Sequence, residues 1–318
     1  MSNINPASLL KPKRKILGIS AMLLPFDEAG HIDWLSYARL LTDTVSAGLM
    51  PAINMDTGYG PLLSREERRE VLRRSADVLK GCKFAAGAVV QDQPGQPFHV
   101  DQYLHEMEAI EQAGGIPVIC QSYGLTSLQD DALVDAYRQM GKNSTCFIAF
   151  ELGRMFATFG RIYSLEIYQE LLQIPSCMGA KHSSLSRALE WHRLILRDKF
   201  RPEFHVFTGN DLAIDMVMYG SDYLLGLSAF APEYFAQRDA YWHQGDLRFY
   251  GLNDTLQYLG QFAFRPPVPA YKHTAAQFLH LRGKISSNKT HCASLTRPAS
   301  DVEVLHDIAR RLASECSI

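Results

Sequence analysis

The chain has 318 residues, a formal net charge of -2, 47% hydrophobic residues and 21% charged residues. Such a balance gives no global field to attract nucleic acid or an anionic membrane, and no stretch approaches the roughly 20 apolar residues of a membrane span. The length suits one large α/β barrel with an extension, or two ordinary domains.

Residues 1–15 are polar and then basic (Lys11, Lys13, Arg14, Lys15). They read as a solvated leader rather than a signal peptide, since no apolar run accompanies them. The first strand is predicted over Ile16 to Leu24. Pro25, Gly30 and Asp33 break it, and Asp33 is placed to cap a helix carrying Trp34, Ala38, Leu41 and Val45. Met50 to Asn54 reads as the second strand. Ser64 and Glu67 then form a capping box for a charged helix containing Val71 and Leu72.

The alternation continues. Strands are predicted at Phe84 to Val89, Ile116 to Cys120, Cys146 to Phe150, Cys177 to Lys181, His205 to Thr208 and Tyr223 to Leu227. Helices are predicted near His99 to Gln112, Asp130 to Met140, Ser164 to Leu172, Ser186 to Leu196, Leu212 to Met218 and Pro232 to His243. Strand then helix, eight times over, is the pattern of a closed parallel (β/α)8 TIM barrel, an α/β fold. A doubly wound open sheet is the alternative, but no G-x-G-x-x-G follows the first strand. After about Gly245 the rhythm changes to added helices at Asn253 to Tyr258, Ala275 to Leu281 and Val302 to Leu312. The expected organisation is therefore a barrel over residues 12–244 and a C-terminal helical extension over 245–318, packed on the barrel.

The six cysteines, Cys82, Cys120, Cys146, Cys177, Cys292 and Cys316, form no C-x-x-C pair, and the histidines have no ligand spacing, so no metal site is expected. Cys120, Cys146 and Cys177 fall in strand-like apolar runs and read as small buried hydrophobes. A reducing, cytoplasmic location follows.

In a barrel the chemistry sits at the C-terminal ends of the strands. Lys181 ends the apolar run Cys177-Met178-Gly179-Ala180. Burial there would lower its pKa and free an amine to attack a carbonyl, whereas a lysine snorkelling to the rim is the competing reading. His182 follows it, points to the other face of the strand and reads as structural.

Several segments carry a resemblance to a known family. Pro25, Phe26, Gly30, Ile32 and Asp33 follow the first strand, and Met55-Asp56-Thr57-Gly58-Tyr59 follows the second, ahead of Leu63-Ser64 and Glu66-Glu67-Arg68. Ala86-Gly87 lies on the third strand. Gly179-Ala180-Lys181-His182-Ser183-Ser184 ends the sixth, Gly209-Asn210-Asp211 ends the seventh, and Gly220 and Asp222 lead into the eighth. In this order they resemble the dihydrodipicolinate synthase and N-acetylneuraminate lyase family of Schiff-base aldolases. The resemblance implies a Lys181 imine with a pyruvate-like 2-oxo acid, carboxylate binding by Thr57 and the loop at Gly58, no cofactor, and a homotetramer or homodimer. It matches Tyr123 to a tyrosine that the family supplies to a neighbouring subunit. It also points, off by one residue, to Arg154 as a carboxylate partner.

The chain departs from that pattern at its centre. The family's fifth strand ends in Tyr-Asn-x-Pro, whose tyrosine is the general acid/base, and this chain reads Phe150-Glu151-Leu152-Gly153. Asp56, Tyr59 and Glu151 are the candidates to take over proton handling with Tyr123; Glu151 is equally placed to pair with Arg154 or Arg161. Phe150, Gly58 and Asn210 are expected to line the substrate pocket, and Gly209 to Asp211 to cap the next helix. The expected function is a carbon–carbon or carbon–oxygen lyase acting through the Lys181 imine. The alternative is a member that binds a keto acid or sugar acid without turnover.

Overall fold

The computed structural model describes residues 4–315. Eight parallel strands close into one barrel in chain order, with β8 pairing back onto β1. They are β1 Gly18–Ala21, β2 Met50–Ile53, β3 Ala85–Ala88, β4 Ile116–Ile119, β5 Phe147–Ala149, β6 Cys177–His182, β7 His205–Thr208 and β8 Asp222–Leu225. The helices are α1 Trp34–Ser46, α2 Arg65–Leu79, α3 Val100–Gln112, the short α4 Tyr123–Thr126, α5 Asp130–Lys142, α6 Leu165–Leu172, α7 Arg187–Phe200, α8 Pro232–Gln244, α9 Arg248–Ala263, α10 Tyr271–Leu281 and α11 Asp301–Glu315.

Local chemistry sets these boundaries. Asp33 accepts from the Ser36 amide at the start of α1, and Ser64 and Glu67 form both bonds of the capping box at α2. The strands are short and apolar because both faces are covered. Ile19, Ala52, Ala85, Val118, Ile148, Phe207 and Leu224 fill the barrel interior, and a larger apolar cluster fills the layer between strands and helices.

Two connectors differ from the sequence reading. The seventh, predicted as a helix over Leu212 to Met218, is a 3-10 helix over Ile214–Tyr219. Asn210 caps its own turn by accepting from the Leu212 amide, and Gly220 at φ +110 ends the segment after six residues, a short run in the tighter 3-10 form. A 3-10 turn, Leu227–Phe230, also precedes α8.

The helices after residue 244 share the barrel's outer apolar cluster. Phe249, Leu252 and Leu256 of α9, and Ala275, Phe278 and Leu279 of α10, lie in it beside barrel residues. Helix α10 begins four residues earlier than its apolar spacing predicts, and its first turn packs over the barrel mouth. Among the described residues, no helix is long and apolar enough to cross a membrane, and no group of three or more His, Cys, Asp or Glu is placed to hold a metal. Five cysteines are free; Cys316 lies outside the described residues.

Candidate active site

Strand β6 carries two chemistries on its two faces. Gly179 and Lys181 face into the barrel, while Ala180 and His182 face the helices. Gly179 is required there, because a Cβ would fall 2.6 Å from the Phe207 ring and the His205 carbonyl.

The amine of Lys181 lies 4.5 Å from the centre of the Phe150 ring and forms no ion pair among the described residues. Burial is the largest influence on it and pulls its pKa below the usual lysine value, against the attraction of Asp211, Asp56 and Glu151. Gly209 leaves room for the amine: a Cβ there would fall 2.2 Å from Lys181 Cε and 2.8 Å from Nζ.

Lys181 borders an inner cavity of about 30 Å³, together with Thr57, Asp56, Phe150, Asp211 and Tyr271. That volume holds about one water molecule. An outer cavity of about 760 Å³ opens above it, bordered by Tyr123, Gln121, Cys120, Phe159, Lys272 and Leu295, among others. Phe150, Asp56, Leu152 and Phe156 form the wall shared by the two.

Asp56, Thr57 and Gly58 form a 3-10 turn at the end of β2. Asn54 and Tyr59 bracket it in left-handed conformations at φ +56 and +59. Such backbone costs on the order of 1 kcal/mol per residue and persists where packing enforces it. Gly58 is needed for close approach, since a Cβ would meet the Met22 carbonyl at 2.9 Å. The turn aims the Thr57 hydroxyl at the inner cavity, 2.9 Å from the Tyr271 hydroxyl. Tyr271 also donates to Asp56 Oδ2 at 2.8 Å, and Lys272 Nζ reaches both Asp56 oxygens at 3.0 and 3.1 Å.

Asp211 follows β7 and is buried. Burial pushes its carboxyl up to about 7, offset in part by the Leu227 amide, which donates to it at 2.8 Å, and by the charge of Lys181.

The remaining sequence candidates fall elsewhere. Glu151 is not a free acid or base in the mouth. Arg193 of α7 donates to both its oxygens (2.6 and 2.8 Å), and the amides of Ser183 and Tyr163 donate at 2.9 and 2.8 Å. Its charge is met by Arg193, not by Arg154 or Arg161; Arg161 pairs with Asp130. Tyr59 points away from both cavities, with its ring against His291 and Phe26. Asn210 is buried and spends its side chain on its own turn, so Asp211 takes the cavity wall instead. Arg154 is exposed and borders neither cavity. Tyr123 stands in the outer cavity, 3.0 Å from the Thr158 hydroxyl and against Phe159.

Sequence reasoning missed Tyr271, Lys272 and Arg193. Tyr271 and Lys272 begin a helix in the extension, more than 200 residues from the turn they contact, and no local motif marks them. Arg193 reads as one of several basic residues on an amphipathic helix. Its only signal is its place on the apolar stripe beside Leu194 and Arg197.

No protein-family model matches the chain. The chain is similar to the 4-hydroxy-tetrahydrodipicolinate synthase of Kosmotoga olearia, at 26% identity over 235 residues, which make up 72% of this chain and 76% of that protein. Its fold is similar to that of dihydrodipicolinate synthase from Thermotoga maritima (TM-score 0.78, 18% identity, 94% of this chain and 99% of that one). It is also similar to YagE, a prophage protein of the dihydrodipicolinic acid synthase family from E. coli K12, solved in complex with pyruvate (TM-score 0.80, 17% identity, 94% and 98%). Sequence similarity and barrel architecture agree: the chain is similar to a 4-hydroxy-tetrahydrodipicolinate synthase, and it shares the barrel fold of the dihydrodipicolinate synthases.

Proposed function

We propose that this protein is a lyase that captures a small 2-oxo acid as an imine of Lys181 and breaks or forms a carbon–carbon or carbon–oxygen bond from that adduct. The observation that carries the reading is the Lys181 amine itself: enclosed, lowered in pKa, without an ion-pair partner among the described residues, and facing a cavity. A free amine attacks the C2 carbonyl, water leaves, and the resulting iminium draws electrons from the adjacent carbon, so no other electron sink is required. Asp211, with its carboxyl pushed up to about 7, is suited to exchange a proton with the amine near neutral pH. The substrate carboxylate is placed against the turn Asp56–Gly58, whose Thr57 borders the cavity.

The outer cavity has the volume of a small-molecule site and would hold the rest of the substrate, beside Tyr123. The inner cavity is narrow, and the wall it shares with the outer one includes Phe156 and Leu152, which are only half-buried. The relatives named for dihydrodipicolinate synthesis and the pyruvate complex of YagE support pyruvate as the first acid to try. A homotetramer or homodimer and a cytoplasmic setting complete the proposal, the latter supported by the free cysteines.

Phe150 favours a second reading, binding without turnover, because its ring lies beneath the amine and offers no proton. The test is incubation with pyruvate and longer 2-oxo acids, borohydride reduction and mapping by mass spectrometry. A reduced adduct on Lys181 is expected, and none with any acid sinks the proposal. Product formation from a trapped acid then separates turnover from binding alone.

A further inference from the structure

The hydroxyl of Thr57 has a neighbour from an unexpected part of the chain. Tyr271, the first residue of α10, reaches over the barrel mouth and stacks its ring on Phe264, with centroids 4.4 Å apart and planes 16° apart. Its hydroxyl meets Thr57 Oγ1 at 2.9 Å and donates to Asp56 Oδ2 at 2.8 Å. A phenol has one proton. With that proton given to the carboxylate, Thr57 is the donor in the bond between the two hydroxyls. The donors therefore point one way, Thr57 to Tyr271 to Asp56.

The ends of this chain lie in different places. Thr57 and Tyr271 border the inner cavity with Lys181. Asp56 borders both cavities, and its partner Lys272 borders the outer one. The Asp56 side chain keeps 26% of its accessible surface, so it is in contact with water. Gly226 preserves the junction, since a Cβ there would lie 3.0 Å from Thr57 Oγ1 and 3.2 Å from the Tyr271 ring. A hydroxyl that served only to hold α10 on the barrel would need one partner. This one bridges a cavity-facing hydroxyl to a carboxylate at the solvent side, in a cavity that Phe150, Leu152, Phe156 and Phe264 wall together with Lys181 and Asp211.

We infer that Tyr271 links Thr57 to Asp56 as a proton path from the Lys181 cavity to the outer cavity. The inference rests on the Schiff-base reading above. In the iminium of Lys181, loss of a proton from C3 turns the C3–H electron pair into the C2=C3 bond and returns the C=N pair to nitrogen. That proton goes to Thr57 Oγ1, the proton of Thr57 goes to Tyr271 Oη, and the proton of Tyr271 goes to Asp56 Oδ2. A cationic iminium and an anionic carboxylate become a neutral enamine and a neutral acid, and no other reactant is consumed. Reversal of the path returns the proton. Tyr271 acts through Thr57 and is in that sense a positioning residue.

The test uses the full chain with pyruvate in D2O. Proton NMR follows loss of the methyl protons, and borohydride trapping measures the Lys181 adduct in parallel. Tyr271→Phe keeps the stacked ring and is expected to form the adduct while exchanging methyl protons about 100-fold more slowly per adduct, in line with the loss of acid–base assistance. Thr57→Val is expected to match it, and Thr57→Ser, which keeps the hydroxyl, to retain exchange. Tyr271→Phe exchanging at the wild-type rate per adduct overturns the inference. So does equal loss of adduct and exchange in Tyr271→Phe with Thr57→Val left intact, which would give Tyr271 a role in shaping the cavity only. A wild-type adduct without exchange removes the path but keeps the imine. No wild-type adduct removes the Schiff-base reading and this inference with it.

Discussion

The two faces of β6 hold buried charge in opposite ways. On the inner face, the Lys181 amine has an aromatic ring, a cavity and no ion-pair partner among the described residues. On the outer face, His182 lies in a closed network. Arg193 Nη1 meets His182 Nδ1 at 2.8 Å, pairs in bidentate fashion with Glu151, donates to the Tyr163 carbonyl at 2.8 Å and rests over the Tyr168 ring at 4.5 Å. Glu190 sits behind it, accepting from Ser221 and Thr208 at 2.7 and 3.2 Å. The two sides differ in the partners they offer a charge. A charge network this densely bonded fixes a backbone: both Glu151 oxygens are taken, and among the described residues of the network only Arg193 Nε and His182 Nε2 are left without a hydrogen-bond partner. An unsaturated amine is free to react. The network also ties β5 to β6, because Ser183 donates both its amide and its hydroxyl to Glu151. Ser183, two residues after the lysine, thereby helps to aim it.

Four experiments press on this contrast. The largest effect is expected from Lys181→Met, which should abolish borohydride trapping while leaving the melting temperature unchanged or higher, because a buried amine without a partner opposes folding. A substantial drop in melting temperature would mean that Lys181 belongs to the structural side. Arg193→Met should do the reverse. It strands the Glu151 carboxylate and is expected to cost about 3–5 kcal/mol in urea unfolding, with Glu151→Gln on the same background recovering part of the loss. A change of less than about 1 kcal/mol would show that the network is not what holds β5 and β6 together.

Gly209→Ala places a methyl where Lys181 Cε and Nζ now lie. Displacing the amine by about 1 Å should slow adduct formation on the order of 100-fold with little effect on melting. Adduct formation at the wild-type rate would show that the lysine chain shifts freely.

Smallest is a pH effect from Glu190, whose carboxyl burial pushes up to about 7 from 4.5. The folded protein holds this proton more tightly than the unfolded chain does. The stability from the neutral form is complete below about 4.5 and is lost as pH rises through about 7. Glu190→Gln should therefore gain on the wild type by about 1–3 kcal/mol between pH 5 and pH 8 in urea midpoints. A constant difference across that range would place the carboxyl's titration elsewhere.

Much of this was legible in the sequence, for identifiable reasons. The eight strand–helix alternations are local periodicities, so they survive without knowledge of the fold. The caps at Asp33 and Ser64 bond within three residues and appear in the structure as read. Lys181 stood out because a charged residue ending an apolar run is locally anomalous, and the turn at Thr57 through its resemblance to the family's loop after the second strand. Side-chain identity therefore determined the barrel and the places of Lys181 and of the Asp56–Gly58 turn. Tertiary structure alone decided which groups surround them. Glu151 and Asp211 are both acids that follow barrel strands, and nothing local separates them. Only the helix packing that sets Arg193 behind Glu151 and leaves Asp211 facing the cavity does so. Tyr271 and Lys272 were invisible for the same reason. Their partners lie more than 200 residues away, and a hydrogen bond between distant segments leaves no period, cap or motif in the chain that makes it.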